Sequence, residues 1–328
     1  MSCAHPFLME FTRYGTRYNE YIPCGYCLNC RVDKQNQLVH RCEQELINYK
    51  CGAFVTLTYD DLHIINNLNH DSSGNLQATL NRSDLRHYMY RLRSNIKNRM
   101  PNNLLSNHHF KFLAVGEYGQ DGQIFDRPHF HILLFGLDFA VCKKEIENAW
   151  QGRGMLKVLP ILNGGIAYVL KYLDKQLFGK QAEQKYDNNN LERPFQVHSL
   201  GLGNSLYKNQ CSYIKTHNGC YHWKGKDFPV PPYYKNKYYY QSFKYINKAR
   251  TINEYKNFYG FKPKNNYDLH EFSIRQALIR EENINIKNHL HGRPRYDYMS
   301  INNLKTISKE YINNLSNQAI LAAYEVPF

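Results

Sequence analysis

The sequence predicts an α+β fold: a central antiparallel sheet flanked by helices, preceded by a cysteine-rich N-terminal lead-in and followed by a basic, mainly helical C-terminal region. Three observations carry that expectation. Strand-like and helix-like segments follow one another as β-α-β-β-α-β-α over roughly residues 52–180. The run Arg127-Pro-His-Phe-His-Ile-Leu-Leu-Phe-Gly136 continues apolar on both faces beyond its two histidines, as a strand in the middle of a sheet does. Ahead of this core, Cys24-Gly-Tyr-Cys27-Leu-Asn-Cys30 crowds three thiols together. These shifts divide the chain into a cysteine-rich, zinc-binding segment (1–51), a core (52–180), a loop and hairpin extension (181–240) and a basic helical region (241–328).

Phe54-Val-Thr-Leu-Thr-Tyr59 is β-branched and aromatic, which predicts the first core strand. Asn66 to Thr79 is polar, contains Asp71-Ser-Ser-Gly74, and reads as a surface loop. Arg82 to Lys97 carries Leu85, Tyr88, Met89, Leu92 and Ile96 at helical spacing. Phe110 to Val115 is the next strand, ending in Gly116-Glu-Tyr-Gly119, and the histidine strand follows with Pro128 tolerated at its start. Cys142 to Trp150 reads as a short helix, Met155 to Ile161 as a strand, and Ile166 to Leu177 as a helix closed near Gly179. Farther on, Ser212 to Lys224 reads as a hairpin turning at Asn218-Gly219, and helices are expected near Asp268–Ile286 and Asn302–Ala323.

The chain has 328 residues, enough for one large or two modest domains, and a formal charge of +14, which favours a polyanionic partner such as nucleic acid. Twenty-eight tyrosines and 17 phenylalanines offer flat surfaces on which unpaired bases could stack, although most must serve the core. No run of 18 or more apolar residues appears, so no membrane span is expected. Met1-Ser-Cys-Ala-His-Pro lacks the pattern of a secretory leader, and a cytosolic protein is expected. There is no Gly-x4-Gly-Lys-Ser/Thr loop, so the chain should not drive its own helicase.

The chemistry centres on His129 and His131. Alternate side chains of a strand share a face, so the two imidazoles project together and can grip one divalent ion. A histidine pair on a strand is often only structural. Glu117, at the end of the preceding strand, strengthens the functional reading, because a hairpin could bring its carboxylate to both rings. Two histidines and a carboxylate leave coordination positions for a phosphate oxygen, and suit Mn²⁺, Zn²⁺ or Mg²⁺. Downstream, Tyr168 and Tyr172 lie four apart on a predicted helix whose apolar stripe is already complete in Ile166, Val169, Leu170, Leu173 and Leu177. Lys171 and Lys175 share the phenols' side, where cations would stabilise phenolate or neutralise phosphate. Metal-binding histidines with paired tyrosines point to DNA cutting through a tyrosyl phosphodiester. Two such nucleophiles allow one to hold a cleaved 5′ phosphate while the other attacks.

Cys24, Cys27 and Cys30 have metal-ligand spacing, with Cys3 the first choice as fourth ligand and His5, Cys42 or Cys51 as substitutes. Structural zinc is favoured because nothing else suggests redox chemistry. An iron–sulfur cluster and free buried thiols stay open.

Pro23-Cys-Gly-Tyr-Cys-Leu-Asn-Cys-Arg31, Phe54-Val-Thr-Leu-Thr-Tyr-Asp-Asp61, Gly116-Glu-Tyr-Gly119, Arg127-Pro-His-Phe-His131 and Ala167-Tyr-Val-Leu-Lys-Tyr172 occur in this order, followed by Gly201-Leu-Gly203 and Val230-Pro-Pro-Tyr-Tyr234. Together, from about residue 3 to 240, they resemble the replication initiation proteins of gokushoviruses, small single-stranded-DNA phages of the Microviridae. The resemblance implies an HUH (histidine-hydrophobe-histidine) endonuclease with a ferredoxin-like or RRM-like core. It implies nicking of a circular genome at its origin, attachment to the 5′ end, and priming of rolling-circle replication in the bacterial cytoplasm. Single-stranded and origin DNA, a host helicase and a host DNA polymerase would be the partners. By motif, His129 and His131 are then metal ligands for Mg²⁺ or Mn²⁺, Tyr168 and Tyr172 the alternating nucleophiles, Lys171 and Lys175 their basic companions, and Glu117 the third ligand.

Two other classes share parts of this pattern. A non-haem iron oxygenase or cupin-like enzyme also uses two histidines and a carboxylate, but needs a third histidine on another strand and no paired tyrosines. A non-catalytic zinc-dependent nucleic-acid-binding protein needs only the cysteines and the charge.

Overall fold

Phe130, Ile132, Leu133, Leu134 and Phe135 are all fully buried, so the histidine-bearing segment is an interior strand covered on both faces. It belongs to a computed structural model that describes residues 3–13, 15–99, 110–119, 127–162, 164–171, 179–217, 219–231, 233–234 and 240–290. These fall into two compact units, one formed by the chain up to His40 and again from Gly203, the other by Arg41–Leu202.

The unit from Arg41 to Leu202 holds a five-stranded antiparallel sheet. Its strands are β3 (Gly52–Thr58), β6 (Lys111–Tyr118), β7 (Pro128–Phe135), β8 (Leu156–Pro160) and β9 (Phe195–His198), in the order β8-β3-β7-β6-β9. As the sequence predicts, the histidine strand is the middle one. After β3, Asp60 caps the single turn α2 (Asp61–Ile64) by accepting from the His63 backbone N–H at 2.8 Å. One sheet face presents Val55, Leu57, Phe130, Ile132, Leu134 and Ala114 to helices α3 (Arg82–Arg99) and α4 (Phe139–Trp150). Leu85, Tyr88, Met89, Leu92 and Ile96, spaced to share one side of α3, meet Ile146 and Trp150 of α4 in that core. Asp138 caps α4 by accepting from the Ala140 and Val141 backbone N–H groups. The last turns of helix α1 (Leu28–Tyr49) and the short helix α5 (Gly165–Lys171) lie on the other sheet face. There the buried Glu45 of α1 accepts from Lys111 Nζ at 2.6 Å.

Gly154 is indispensable to the end of β3. Its φ is +144°, and a Cβ there would lie 2.3 Å from both Asp60 N and Thr58 O. The backbone of 153–155 runs this close because Thr58 N–H donates to Met155 O and Asp60 N–H to Arg153 O.

Several sequence expectations need correction. The polar segment 66–79 is not a plain loop but a hairpin of β4 (Leu68–His70) and β5 (Leu76–Ala78). Its turn is built by Asp71, whose carboxylate accepts from the Ser73 and Asn75 N–H groups, with Gly74 at φ +83°. The hairpin expected over 212–224 starts later. Helix α7 (Asn204–Thr216) occupies its first residues, with Leu206, Tyr207 and Ile214 buried. The hairpin pairs β10 (Cys220–Trp223) with β11 (Lys226–Pro229), turning at Lys224-Gly225, both at positive φ (48° and 78°). The cysteine-rich lead-in contains a hairpin, β1 (Phe7–Arg13) with β2 (Thr16–Ile22), as well as the start of α1. Helix α6 (Gly179–Lys185) precedes β9. In the other unit, helices α8 (Tyr240–Tyr259) and α9 (Asn266–Leu290) pack through Tyr255, Leu269 and Phe272. The helix expected near Asn302–Ala323 lies outside the described residues. No described helix is long and apolar enough to cross a membrane.

Candidate active site

Register places the site residues. Directly opposed residues of an antiparallel ladder project to the same face. Thr58, His129 and Glu117 form one row across β3, β7 and β6, and the next row runs Lys157, Thr56, His131, Val115, Gln196 from β8 to β9. The third is Leu159, Phe54, Leu133, Leu113, His198. These rows lie on the sheet face opposite the α3–α4 core, so the histidines stand apart from that packing.

His131 and Glu117 are both buried, 6% and 8% exposed, and His131 Nε2 lies 3.1 Å from Glu117 Oε1. His131 Nδ1 lies 3.3 Å from Thr56 Oγ1. His129 Nδ1 is 2.6 Å from the Arg127 carbonyl oxygen. A carbonyl only accepts, so this nitrogen carries the proton and leaves the Nε2 lone pair available. Gly119 makes room for the ring: a Cβ there would stand 3.1 Å from His129 Cε1, and Gly119 N–H donates to the same Arg127 carbonyl. Arg127 itself is tied to the Tyr59 carbonyl at 3.0 Å and to the Asp61 carboxylate.

Helix α5 brings Tyr168 to this face. Ile166, Val169 and Leu170 are buried, while the half-buried Tyr168 ring sits edge-on to His131 (centroids 6.5 Å, 80°) and to Phe54 (6.1 Å, 69°). The Lys171 backbone ends the described helix. Its side chain, and Tyr172 and Lys175, lie outside the described residues.

The donor set suits a divalent cation. Nδ1–H of His129 held by a backbone carbonyl is the usual support for a ligating imidazole, and His131 Nε2 faces a carboxylate oxygen that could share the same ion. In the structure these two atoms hydrogen-bond to each other. Among the described residues, the group of three or more His, Cys, Asp or Glu ligand atoms lying within 4.8 Å of one another is Cys3, Cys24, Cys27 and Cys30, which could hold a metal such as zinc. His5, Cys42 and Cys51 are not in it. Hydrogen bonds from the Cys3 and Cys30 thiols hold the Cys27 thiol far below the ordinary range, which marks it as the thiolate of the group.

Sequence reading misses Thr56 and Lys157. Neither belongs to a motif, and both enter only through cross-strand pairing with His131. Phe54, the ring beneath Tyr168, reads from sequence as strand alone.

Residues 52–177, which span the sheet through β8 and the tyrosine helix, match the family model for the replication-associated protein ORF2. With the motif resemblance, this match supports a phage replication initiation protein. The chain is 22% identical over 302 residues to the replication-associated protein VP4 of Bdellovibrio phage phiMH2K, covering 79% of this chain and 86% of that protein. It is 33% identical over 132 residues to the replication-associated protein ORF2 of Spiroplasma virus 4, covering 40% of this chain and 36% of that one. No solved structure gives a significant match.

Proposed function

We propose that this chain nicks single-stranded DNA at a phage origin, links itself to the 5′ phosphate through a tyrosine, and so starts and ends rolling-circle replication. The observation that carries this reading is Tyr168 lying against His131 on the face where Glu117 meets the same imidazole. The names of the replication-associated relatives support a role in genome replication.

The Tyr168 phenol oxygen attacks the scissile phosphorus. The bond from phosphorus to the 3′ oxygen breaks, the phenol proton is lost, and the 3′ oxygen takes up a proton and leaves as a hydroxyl. One phosphodiester replaces another, so a 3′ hydroxyl can reverse the step without ATP. Tyr172 is assigned the second attack, on the displaced strand after one round. A phenol titrates near pH ~10 and is a weak nucleophile at neutral pH, so Lys171 and Lys175 are assigned to lower its proton affinity. His129, His131 and Glu117 would hold Mg²⁺ or Mn²⁺, which would supply positive charge to a non-bridging phosphate oxygen. The His129–Arg127 hydrogen bond fixes the ring's tautomer for that task. Lys157, two strands from His131 in the same row, is placed to meet the DNA backbone. Under this reading the freed 3′ hydroxyl primes a host polymerase, a host helicase unwinds, and the setting is the host cytoplasm.

Full-length protein mixed with single-stranded oligonucleotides tiling an origin region and Mn²⁺ tests this. A band of protein plus DNA that survives denaturation and disappears with chelator is expected. No such band with any oligonucleotide would remove the proposal.

A further inference from the structure

A second site, far from histidine chemistry in sequence, has its own geometry. Cys3 Sγ lies 3.6 Å from Cys24 Sγ and 3.9 Å from Cys27 Sγ. Zinc–thiolate bonds of about 2.3 Å in a regular tetrahedron place sulfurs about 3.8 Å apart. The separations are far too long for a disulfide, and all four cysteines are free. They are also too short for a multi-iron cluster, whose cysteine sulfurs stand on the outside of an iron–sulfide core. Backbone N–H groups of Cys24 and Cys27 each point at a sulfur of the group at 3.3 Å, from Cys24 to Cys3 and from Cys27 to Cys24. Such donors favour the thiolate form that a metal needs.

The turns that carry these sulfurs also carry the contacts to helix α9. Leu28 N–H, between Cys27 and Cys30, donates to Glu281 Oε1 at 3.3 Å, and Asn29 Nδ2 donates to the Ala277 carbonyl at 2.7 Å. His5, two residues after Cys3, lies 3.5 Å from Glu281 Oε2, and Asp33, one turn beyond Cys30, pairs with Arg280 at 2.7 Å. Asn29 and Glu281 are buried, so misplacing either leaves a polar group without its partner in a dry site.

We infer that Cys3, Cys24, Cys27 and Cys30 bind one zinc ion as four thiolates, and that this ion fixes the seat on which α9 docks. The ion ties residue 3 to residues 24–30 across the base of the β1–β2 hairpin. That holds the His5, Leu28 and Asn29 groups where Glu281 and the Ala277 carbonyl meet them. Without the ion, four sulfurs crowded at these distances separate, and the docking groups move with them. The inference stands independently of DNA nicking, since none of its residues belongs to the sheet.

The test uses full-length protein. Elemental analysis should find about one zinc per chain that survives His129→Ala with His131→Ala. Cobalt substitution should give the visible bands and thiolate charge-transfer absorption of a tetrahedral tetrathiolate site. Cys42→Ser, at a buried thiol outside the group, should keep both signals, and Cys27→Ser should lose them. Hydrogen exchange after zinc removal by a thiol-reactive mercurial and chelator should rise at least about tenfold across 268–286 while 52–58 and 128–135 stay protected. Absence of zinc, iron with labile sulfide in its place, or zinc that depends on His129 and His131 would each overturn the metal assignment. Unchanged exchange across 268–286 on zinc removal would overturn the docking role, even if Cys27→Ser fails to fold.

Discussion

Glu117 stands directly opposite His129 in the β6–β7 ladder, yet its carboxylate reaches diagonally to His131, with Oε1 3.1 Å from Nε2. One carboxylate therefore sits within reach of both imidazoles, because the diagonal neighbour of an antiparallel pair lies on the same face. Glu117→Gln keeps the size and removes the charge. Loss of a ligand that supports several kcal/mol of charge stabilisation predicts adduct formation slower by about 10²–10³, at one tenfold per ~1.4 kcal/mol. Adduct rates over a Mn²⁺ titration check this. An unchanged rate with unchanged Mn²⁺ dependence would show that Glu117 is not a ligand.

Lys157 reaches the site only through β8, which pairs with β3 so that Lys157, Thr56 and His131 share one row. A single phosphate contact contributes about 0.7 to the log–log salt slope of single-strand binding. Lys157→Ala should lower that slope by about this amount and leave adduct formation at saturating DNA within about threefold. Anisotropy at several salt concentrations measures it. An unaltered slope would remove Lys157 from the interface.

How much of this is legible in the sequence? The His129–Phe130–His131 alternation and its apolar continuation announce a central strand, and the ladder has it there, because period-two burial is a local property. Glu117 is legible as a strand-end carboxylate, since a hairpin returns the chain to its neighbour. Thr56 and Lys157 are invisible, because register between strands distant in sequence is set by packing, not by either strand alone. The hairpin near 220 falls elsewhere than its turn signal suggests for a related reason. Asn218-Gly219 is the stronger turn signal, but Leu206, Tyr207 and Ile214 bury together and carry the helix to Thr216, pushing the reversal to Lys224-Gly225. For the cysteines, spacing groups Cys24, Cys27 and Cys30, while only the fold gathers Cys3 with them in place of His5, Cys42 or Cys51.

Asp84 anchors the approach to the site, accepting from Tyr59 Oη at 2.8 Å, Asn67 Nδ2 at 3.2 Å and Arg153 at 2.6 Å. Burial pushes its pKa up, but the hydrogen bonds from Tyr59, Asn67 and Arg153 outweigh it and the net shift is downward. A lowered folded pKa means stability that is complete above the unfolded value of about 3.9 and lost as pH falls through the folded value. Asp84→Ala should cost about 2–3 kcal/mol at neutral pH, and the deficit should shrink as the solution is acidified below pH ~4. Urea midpoints across pH measure it, and a deficit constant down to pH ~3 would contradict the assignment.

Gly154 supports the same strand end. An alanine Cβ would meet backbone atoms of Thr58 and Asp60 at 2.3 Å, and backbone cannot swing aside as a side chain can. Gly154→Ala should destabilise by about 4 kcal/mol or more and disturb Thr58 beside His129. A loss under ~1 kcal/mol in urea unfolding would show that the 153–155 segment does not need this approach.

The most direct test asks which side chain carries the DNA. After reaction with origin oligonucleotide and Mn²⁺, protease digestion and mass spectrometry should place the nucleotide on Tyr168 or Tyr172. Tyr168→Phe should shift it entirely to Tyr172, Phe at both positions should abolish it, and His129→Ala with His131→Ala should suppress it. A nucleotide attached at any other residue, or an undiminished yield without the imidazole pair, would contradict the shared site.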